Sequence, residues 1–243
     1  MNHSRFARSL KARWILQGDH RRALVLAMDW VDSVGARTRV AFKRSGEAFR
    51  DETARLHDEV NALCGEDASR FGKLVRRLGI SRRRLASVVD GWNAYYVRGV
   101  SRDARQLDAL LGQWSGAPML LGVEIMSSGQ ELTPEAVRGV QQLGMARGLL
   151  DLMMRLEEEL DESRHVFPLD ELERFNVPRT DLAERRRGPG FRDLWKFQLD
   201  RAREWAAERE EVTTSLPTRS AHDLVRVTRK WCMKTAEALE KRG

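Results

Sequence analysis

Cysteine is scarce in this chain of 243 residues, and its two cysteines, Cys64 and Cys232, do not form a CxxC pair. A disulfide framework and a thiolate zinc site are both unsupported, and we expect a reducing compartment. The five histidines lack the HxxxH and HExxH spacings of metal sites, and neither the P-loop signature nor GxGxxG occurs. The sequence therefore gives no local support for histidine–metal chemistry, nucleotide hydrolysis or hydride transfer.

Long hydrophobic runs are also missing. No stretch approaches the roughly 18 apolar residues needed to cross a bilayer, and no continuous apolar segment follows the first residues. We expect a cytoplasmic protein that contacts a membrane, if at all, peripherally at its inner face. The composition, 42% hydrophobic and 33% charged, is enough for one sizeable core.

The charge is basic, because 43 Lys and Arg exceed 36 Asp and Glu by seven. Such an excess attracts phosphates, anionic lipid headgroups or nucleic acid. The basic stretch over 76–84 has no recognisable nucleic-acid reader fold around it, so a nucleic-acid partner is the least favoured of the three.

Prolines number only six, and apolar residues recur every three or four positions between them. This periodicity predicts an all-α chain with helices over about 20–37, 46–63, 68–78, 81–96, 103–126, 133–161, 190–211 and 218–241. Gly91 is expected to interrupt the fourth helix and Pro118 to kink the fifth, and the segment between Pro168 and Pro178 is expected to be a loop and turn. We predict a single domain over 1–243, with an N-terminal arm at about 1–18 and a basic linker at about 185–190 before the last two helices.

Three stretches resemble the squalene and phytoene synthase family, which condenses two prenyl diphosphates head to head. They are LGMA at 143–146 with VFPLDELERFNV at 166–177, VRRLGI at 75–80 with VVDG at 88–91, and FRDLWKFQLDRARE at 191–204. The resemblance implies an all-helical isoprenoid synthase barrel with a central cavity. It also implies two acidic motifs on facing helices, whose carboxylates hold magnesium ions and, through them, the substrate diphosphates.

Both acidic motifs are degraded here. Aligned on its flanking anchors, the second motif places its asparagine on Asp151, its first aspartate on Arg155, and its closing acids on Glu158 and Glu159. Arg155 is a permanent cation and would repel magnesium. An acid-rich run such as 157–162 is also typical of a solvated helix end.

The first acidic motif has lost its aspartates, whose positions fall on Gly35, Ala36 and Arg39. Asp29 and Asp32 lie upstream on roughly the same helical stripe. The candidate displaced acidic motif is therefore the following set: Asp29, Asp32, Asp151, Glu158 and Glu159.

A basic alternative to metal is also present. Arg147, Arg155 and Arg164 are candidates for holding a diphosphate or lipid headgroup directly, although Arg147 and Arg155 could instead form ordinary helix-surface salt bridges. Trp92, Tyr95 and Tyr96 could stack on a ligand, but aromatic residues at helical spacing are more often core.

Two functions follow from these observations. The first is a divergent, non-catalytic relative that uses the cavity or its surface to bind a prenyl diphosphate, a lipid, a membrane or a protein partner, with no cofactor. The alternative is an active prenyl diphosphate transferase that needs Mg²⁺ and uses the displaced acids. The loss of acid at both motifs favours the first function.

Overall fold

The computed structural model describes residues 19–66, 69–98, 100–162, 164, 166–207, 212 and 214–241. Regular structure in these ranges is helical, with no strand. The helices are α1 (Asp19–Arg44), α2 (Gly46–Cys64), α3 (Arg70–Leu78), α4 (Arg82–Val97), α5 (Ala104–Leu111), a π-helical turn π1 (Gly112–Gly116), α6 (Ala117–Met126), α7 (Pro134–Met154), α8 (Leu156–Asp161), α9 (Leu169–Arg174), α10 (Arg179–Ala183), α11 (Pro189–Ala206) and α12 (Arg219–Glu240).

Short polar side chains fix where six of these helices begin. Each accepts a hydrogen bond at 2.9–3.2 Å from the backbone N–H three residues later, which satisfies a donor that the helix itself leaves open. A cap of this kind contributes about 1 kcal/mol. The capping residues are Ser45, Ser69, Ser81, Asp103, Thr133 and Thr218.

Helix α7 lies at the centre of the described structure, in contact with π1, α5, α6, α11 and α12. It is buried around most of its circumference, so it is the least amphipathic of the long helices. Gly144 lets π1 approach closely, because a Cβ at Gly144 would lie 2.7 Å from the Cα of Gly116. One hydrophobic cluster joins the buried residues of α1–α7, α11 and α12.

The effects expected of Gly91 and Pro118 on their helices have different outcomes. Helix α4 continues through Gly91, so the predicted interruption is wrong. The glycine instead permits close packing, since a Cβ there would lie 2.4 Å from the carbonyl oxygen of Gln113 in π1. The predicted irregularity near Pro118 takes the form of π1, which ends immediately before the helix that carries this proline in its first turn.

Several predicted boundaries need correction. The single helix over 133–161 is broken at Arg155, which has φ −107° and ψ 22° and separates α7 from α8. The predicted loop between Pro168 and Pro178 contains α9, and α10 follows Pro178; each proline immediately precedes a helix with acids in its first turn, an arrangement that favours helix initiation.

Other ends shift by a few residues. Helix α1 extends to Arg44, and α11 ends at Ala206 rather than near 211. The basic linker covers 184–188, because Pro189 already begins α11. The arm at 1–18 lies outside the described residues, so the single-domain assignment of the whole chain stays a prediction. In the ranges described, no helix has both the length and the apolarity to cross a membrane.

Candidate functional site

Arg147 lies in the protein interior, where the residue is only 5% exposed. Burial lowers the pKa of Arg147 to about 10, and nearby Asp151, Cys232 and Asp32 oppose that shift. The guanidinium therefore keeps its positive charge at neutral pH. The alternative of a helix-surface salt bridge for Arg147 is wrong about its location, because Asp151 lies nearby but the guanidinium is enclosed by protein.

The candidate acids do not converge on a common point. Asp32 and Asp151 lie near the Arg147 guanidinium, and Asp29 is half-buried one turn before Asp32 on α1. Glu158 is exposed on α8. Over the described ranges, no three His, Cys, Asp or Glu residues are placed to hold a metal ion together.

Arg155 lies at the junction of α7 and α8 and points its guanidinium back at α7. Its Nη2 is 2.9 Å from Oδ2 of Asp151, and its Nε donates to the same oxygen at 3.1 Å. Nη2 is also 3.7 Å from Oε1 of Glu159. The residue at the predicted metal-ligand position thus forms ion pairs with two of the acids that would have to bind the metal beside it.

Glu159 is fully buried, so the interpretation of this acidic run as a solvated helix end is wrong for this residue. Its carboxylate accepts hydrogen bonds from the Tyr95 hydroxyl at 2.5 Å and from Arg164 Nε at 2.8 Å. Burial alone would raise the pKa of Glu159, but hydrogen bonds from Arg164 and Tyr95 outweigh it and hold the pKa below its usual value. We call Tyr95, Arg98, Arg155, Glu159 and Arg164 the Glu159 cluster.

Arg98 is the least satisfied member of the Glu159 cluster. Its side chain is 7% exposed, and its Nη2 is 3.8 Å from Oε2 of Glu159. None of its three guanidinium nitrogens donates a hydrogen bond to a described residue. The guanidinium lies 5.4 Å from the centre of the Tyr95 ring, a cation–π contact. Burial lowers the pKa of Arg98, with Glu159 opposing the shift.

Glu162 connects this region to α1. It accepts hydrogen bonds from Arg39 at 2.6 Å and Lys43 at 2.9 Å, and it forms an ion pair with Arg164. Burial opposes ionisation, but the hydrogen bonds from Lys43, Arg39 and Arg164 dominate and lower the pKa of Glu162 to about 2. Arg39, one of the three positions of the first motif, is therefore bonded to the end of the second.

Aromatic side chains fill the space beside the first motif. A Cβ at Gly35 would lie 2.5 Å from two ring carbons of Trp92, so no side chain fits there unless the indole moves. Trp92 stacks with Tyr96 at 5.9 Å, and Tyr95 stacks with Trp114 at 4.4 Å. All four rings are at most 7% exposed, so they form core and present no open face for a ligand.

Ala36, the remaining position of the first motif, is exposed and lines an open groove between α1 and α2. Of the three positions of the first motif, Gly35 packs against the Trp92 indole, Ala36 lines a surface groove, and Arg39 forms an ion pair with Glu162.

Sequence reasoning missed most of the partners in this region. The sequence predicted that Tyr95 would either stack on a ligand or belong to the core, with core favoured, and it did not assign Arg98, Trp114 or Glu162 to the site. Tyr95 and Arg98 are three residues apart on one stretch, which would have placed them together. No local pattern indicates that this pair contacts Glu159, which lies 64 positions after Tyr95 in the sequence.

Comparisons with known proteins identify the family. Residues 19–243 match the squalene/phytoene synthase family, and the chain belongs to it. A 15-cis-phytoene synthase from Synechocystis sp. is 33% identical over 101 residues, which are 40% of this chain and 30% of that protein. The match thus spans less than a third of the length of that relative.

The fold has a solved counterpart. The crystal structure of the squalene synthase HpnC from Alicyclobacillus acidocaldarius superposes with a TM-score of 0.81, covering 99% of this chain and 94% of the other, at 14% identity. This similarity confirms the predicted all-α isoprenoid synthase fold.

Proposed function

We propose that this chain is a non-catalytic member of the squalene/phytoene synthase family that binds lipid instead of condensing prenyl diphosphates. The observation that carries the proposal is the 2.9 Å ion pair between Arg155 and Asp151, at the place where the family resemblance puts a metal ligand. Breaking this ion pair to accommodate a metal would leave a cation beside it.

The chemistry of the donor set does not fit magnesium. Ionising an allylic diphosphate requires its developing negative charge to be neutralised, and hard divalent magnesium takes oxygen ligands from clustered carboxylates. Here Asp32 and Asp151 flank the Arg147 guanidinium, and Glu159 is engaged by Tyr95 and Arg164. These carboxylates are therefore already engaged by cations and hydrogen-bond donors and are unsuited to hold magnesium.

The active-transferase alternative draws support from the preserved fold, since the superposition with the squalene synthase covers nearly the whole chain. It would require Asp29, Asp32, Asp151 and Glu158 to come together around metal. Glu158 is exposed and Asp151 is already paired, so the alternative needs a rearrangement of the α7–α8 junction.

The decisive experiment incubates the purified chain with farnesyl and geranylgeranyl diphosphate, Mg²⁺ and NADPH, and extracts the products, with an active squalene synthase as positive control. We expect no condensation product. Calorimetry with a non-hydrolysable prenyl diphosphate analogue should show no heat that depends on Mg²⁺. Product formation, or joint binding of magnesium and the analogue, would establish the transferase alternative instead.

A further inference from the structure

One short segment of the chain is strongly basic and contains no acid. Residues 69–89 contain seven Lys and Arg and no Asp or Glu, which gives +7, the same as the net charge of the whole chain. The remaining 43 − 7 = 36 bases are balanced by the 36 acids. The segment comprises α3 and the first half of α4.

Helix α3 separates its charges from its apolar side chains. Arg70, Lys73 and Arg77 are spaced i, i+3 and i+7, so they share one face, and all three are exposed. Phe71 and Leu74 are buried against the core. The helix therefore presents a basic stripe to solvent while its other face anchors it to the protein.

This stripe forms one wall of an open pocket with a volume of about 220 Å³. We call it the α1–α3 basic pocket. Among the described residues, its lining contains four bases, three apolar residues and no acid: Arg22, Ala23, Leu26, Arg70, Lys73, Leu74 and Arg77.

The pairing of charges here differs from that elsewhere. Arg37 and Arg203, for example, each form ion pairs with two acids. In contrast, Arg70, Lys73 and Arg77 form no ion pair with any acid that the structure describes. An external anion can therefore bind these three side chains without displacing a carboxylate of a described residue. An anion that binds Arg155 or Arg164 would first have to displace Asp151 or Glu159.

We propose that the α1–α3 basic pocket binds the phosphate headgroups of anionic lipids and docks the protein on a membrane surface. Guanidinium and ammonium groups supply the hydrogen-bond donors that phosphate oxygens accept. The aliphatic stems of the bases and the Leu26 side chain give the pocket apolar surface that suits an interfacial position.

A lipid fits this surface better than a nucleic acid does. Binding of a single strand draws on exposed aromatic rings that stack on bases. Trp30 on α1 and Phe71 on α3, the two helices that form the pocket, contact each other at 5.3 Å between ring centres and are 8% and 7% exposed. In the part of the chain that the structure describes, the α1–α3 basic pocket offers charge and aliphatic surface and no aromatic ring.

The proposal deepens the lipid-binding part of the proposed function and does not depend on the loss of catalysis. Its test compares flotation of the full chain with vesicles of phosphatidylcholine alone and vesicles that also contain phosphatidylserine. The test variant is the triple substitution Arg70→Gln, Lys73→Gln, Arg77→Gln. Each basic residue near an anionic membrane contributes about fivefold in partition, so we expect the triple substitution to weaken binding roughly a hundredfold.

The matched control is Lys230→Gln, Lys234→Gln, Lys241→Gln, which removes the same three charges from exposed positions of α12 and its C-cap. It should retain nearly all the binding, and rising salt should weaken binding of the wild type. Circular dichroism should show the same helicity in both triple variants, because glutamine has a helix propensity close to that of Lys and Arg.

Four other outcomes would each contradict part of the proposal that this pocket docks the protein on anionic membranes. Equal losses in both triple variants would show a general charge effect and reject the pocket. Binding to neutral vesicles as strong as to anionic ones would reject headgroup recognition. Absence of wild-type flotation would reject membrane docking through this pocket, whatever the product assay shows. Binding of duplex DNA that is lost in the test variant, without flotation of the wild type, would make this a nucleic-acid surface.

Discussion

Neutralising Glu159 should destabilise the protein strongly. The Glu159→Gln substitution keeps the shape of the side chain and an acceptor for the Tyr95 hydroxyl, so its main effect is to remove a negative charge. Three guanidinium groups, those of Arg98, Arg155 and Arg164, then remain near one another with that counter-charge gone. Removing one partner from a buried ion pair costs about 3–5 kcal/mol.

That free energy translates into a measurable shift in melting temperature. For a domain of this size, 1 kcal/mol corresponds to roughly 2–4 °C, so Glu159→Gln should lower the Tm by roughly 6–20 °C. Differential scanning calorimetry or thermal circular dichroism measures it directly. The control is Glu158→Gln, which removes the same charge from the neighbouring exposed position and should shift the Tm by no more than about 2 °C.

A second substitution isolates the cause. In the Glu159→Gln background, Arg98→Met removes a buried cation that donates no hydrogen bond to a described residue, so it should recover part of the lost stability. In the wild-type background, Arg98→Met loses its contacts with Tyr95 and Glu159 and should not stabilise. A Glu159→Gln protein that melts within about 2 °C of the wild type would show that the buried charge of Glu159 does not stabilise the Glu159 cluster.

Three further outcomes are expected. Folding lowers the pKa values of Glu159 and Glu162, to about 2 for Glu162, so both carboxylates stabilise the protein fully above the usual glutamate pKa of about 4.3. This stabilisation is lost as the pH falls toward the folded-state pKa. The Tm measured against pH should therefore fall over this acid range, and the fall should be smaller in Glu159→Gln. Restoring a motif carboxylate with Gly35→Asp should lower the Tm, because the Trp92 indole occupies the space that the new side chain needs. Ala36→Asp, at the adjacent exposed position, is the control and should leave the Tm nearly unchanged. Equal Tm values for the two variants would contradict the packing argument. The single change Arg155→Asp should leave prenyl transfer undetectable in the product assay, since the facing motif still lacks its carboxylates; measurable product would mean that the first motif is intact elsewhere.

Much of the fold could be predicted from the sequence. The helical periodicity is a local signal, and so are Ser81 and Thr133, residue types that favour helix N-caps; the helices that begin there are present. The errors arose where a local signal competes with packing. Gly91 disfavours a helix by itself, but the close approach of π1 makes glycine the residue that fits there.

The sequence also supports the loss of acid at both motifs. The prediction that Arg155 occupies a ligand position follows from the anchors on either side of the second motif, and the family match covers residues 19–243. Spacing along one helix, however, is a poor guide once the helix is broken. Asp151 and Glu158, seven residues apart, would share one face of a continuous helix, but the break at Arg155 removes that relation.

The sequence by itself determined the helices and the family and predicted the degraded motifs, because each of these depends on residues close together in the chain. Only the tertiary structure decided that Glu159 is buried under Tyr95 and Arg164, that Arg147 is enclosed, and that Trp92 occupies the space beside Gly35. These features depend on which side chains from distant segments meet and on how much water remains between them. Burial and pairing set the energy of a charge, and neither is encoded in the spacing of a single helix.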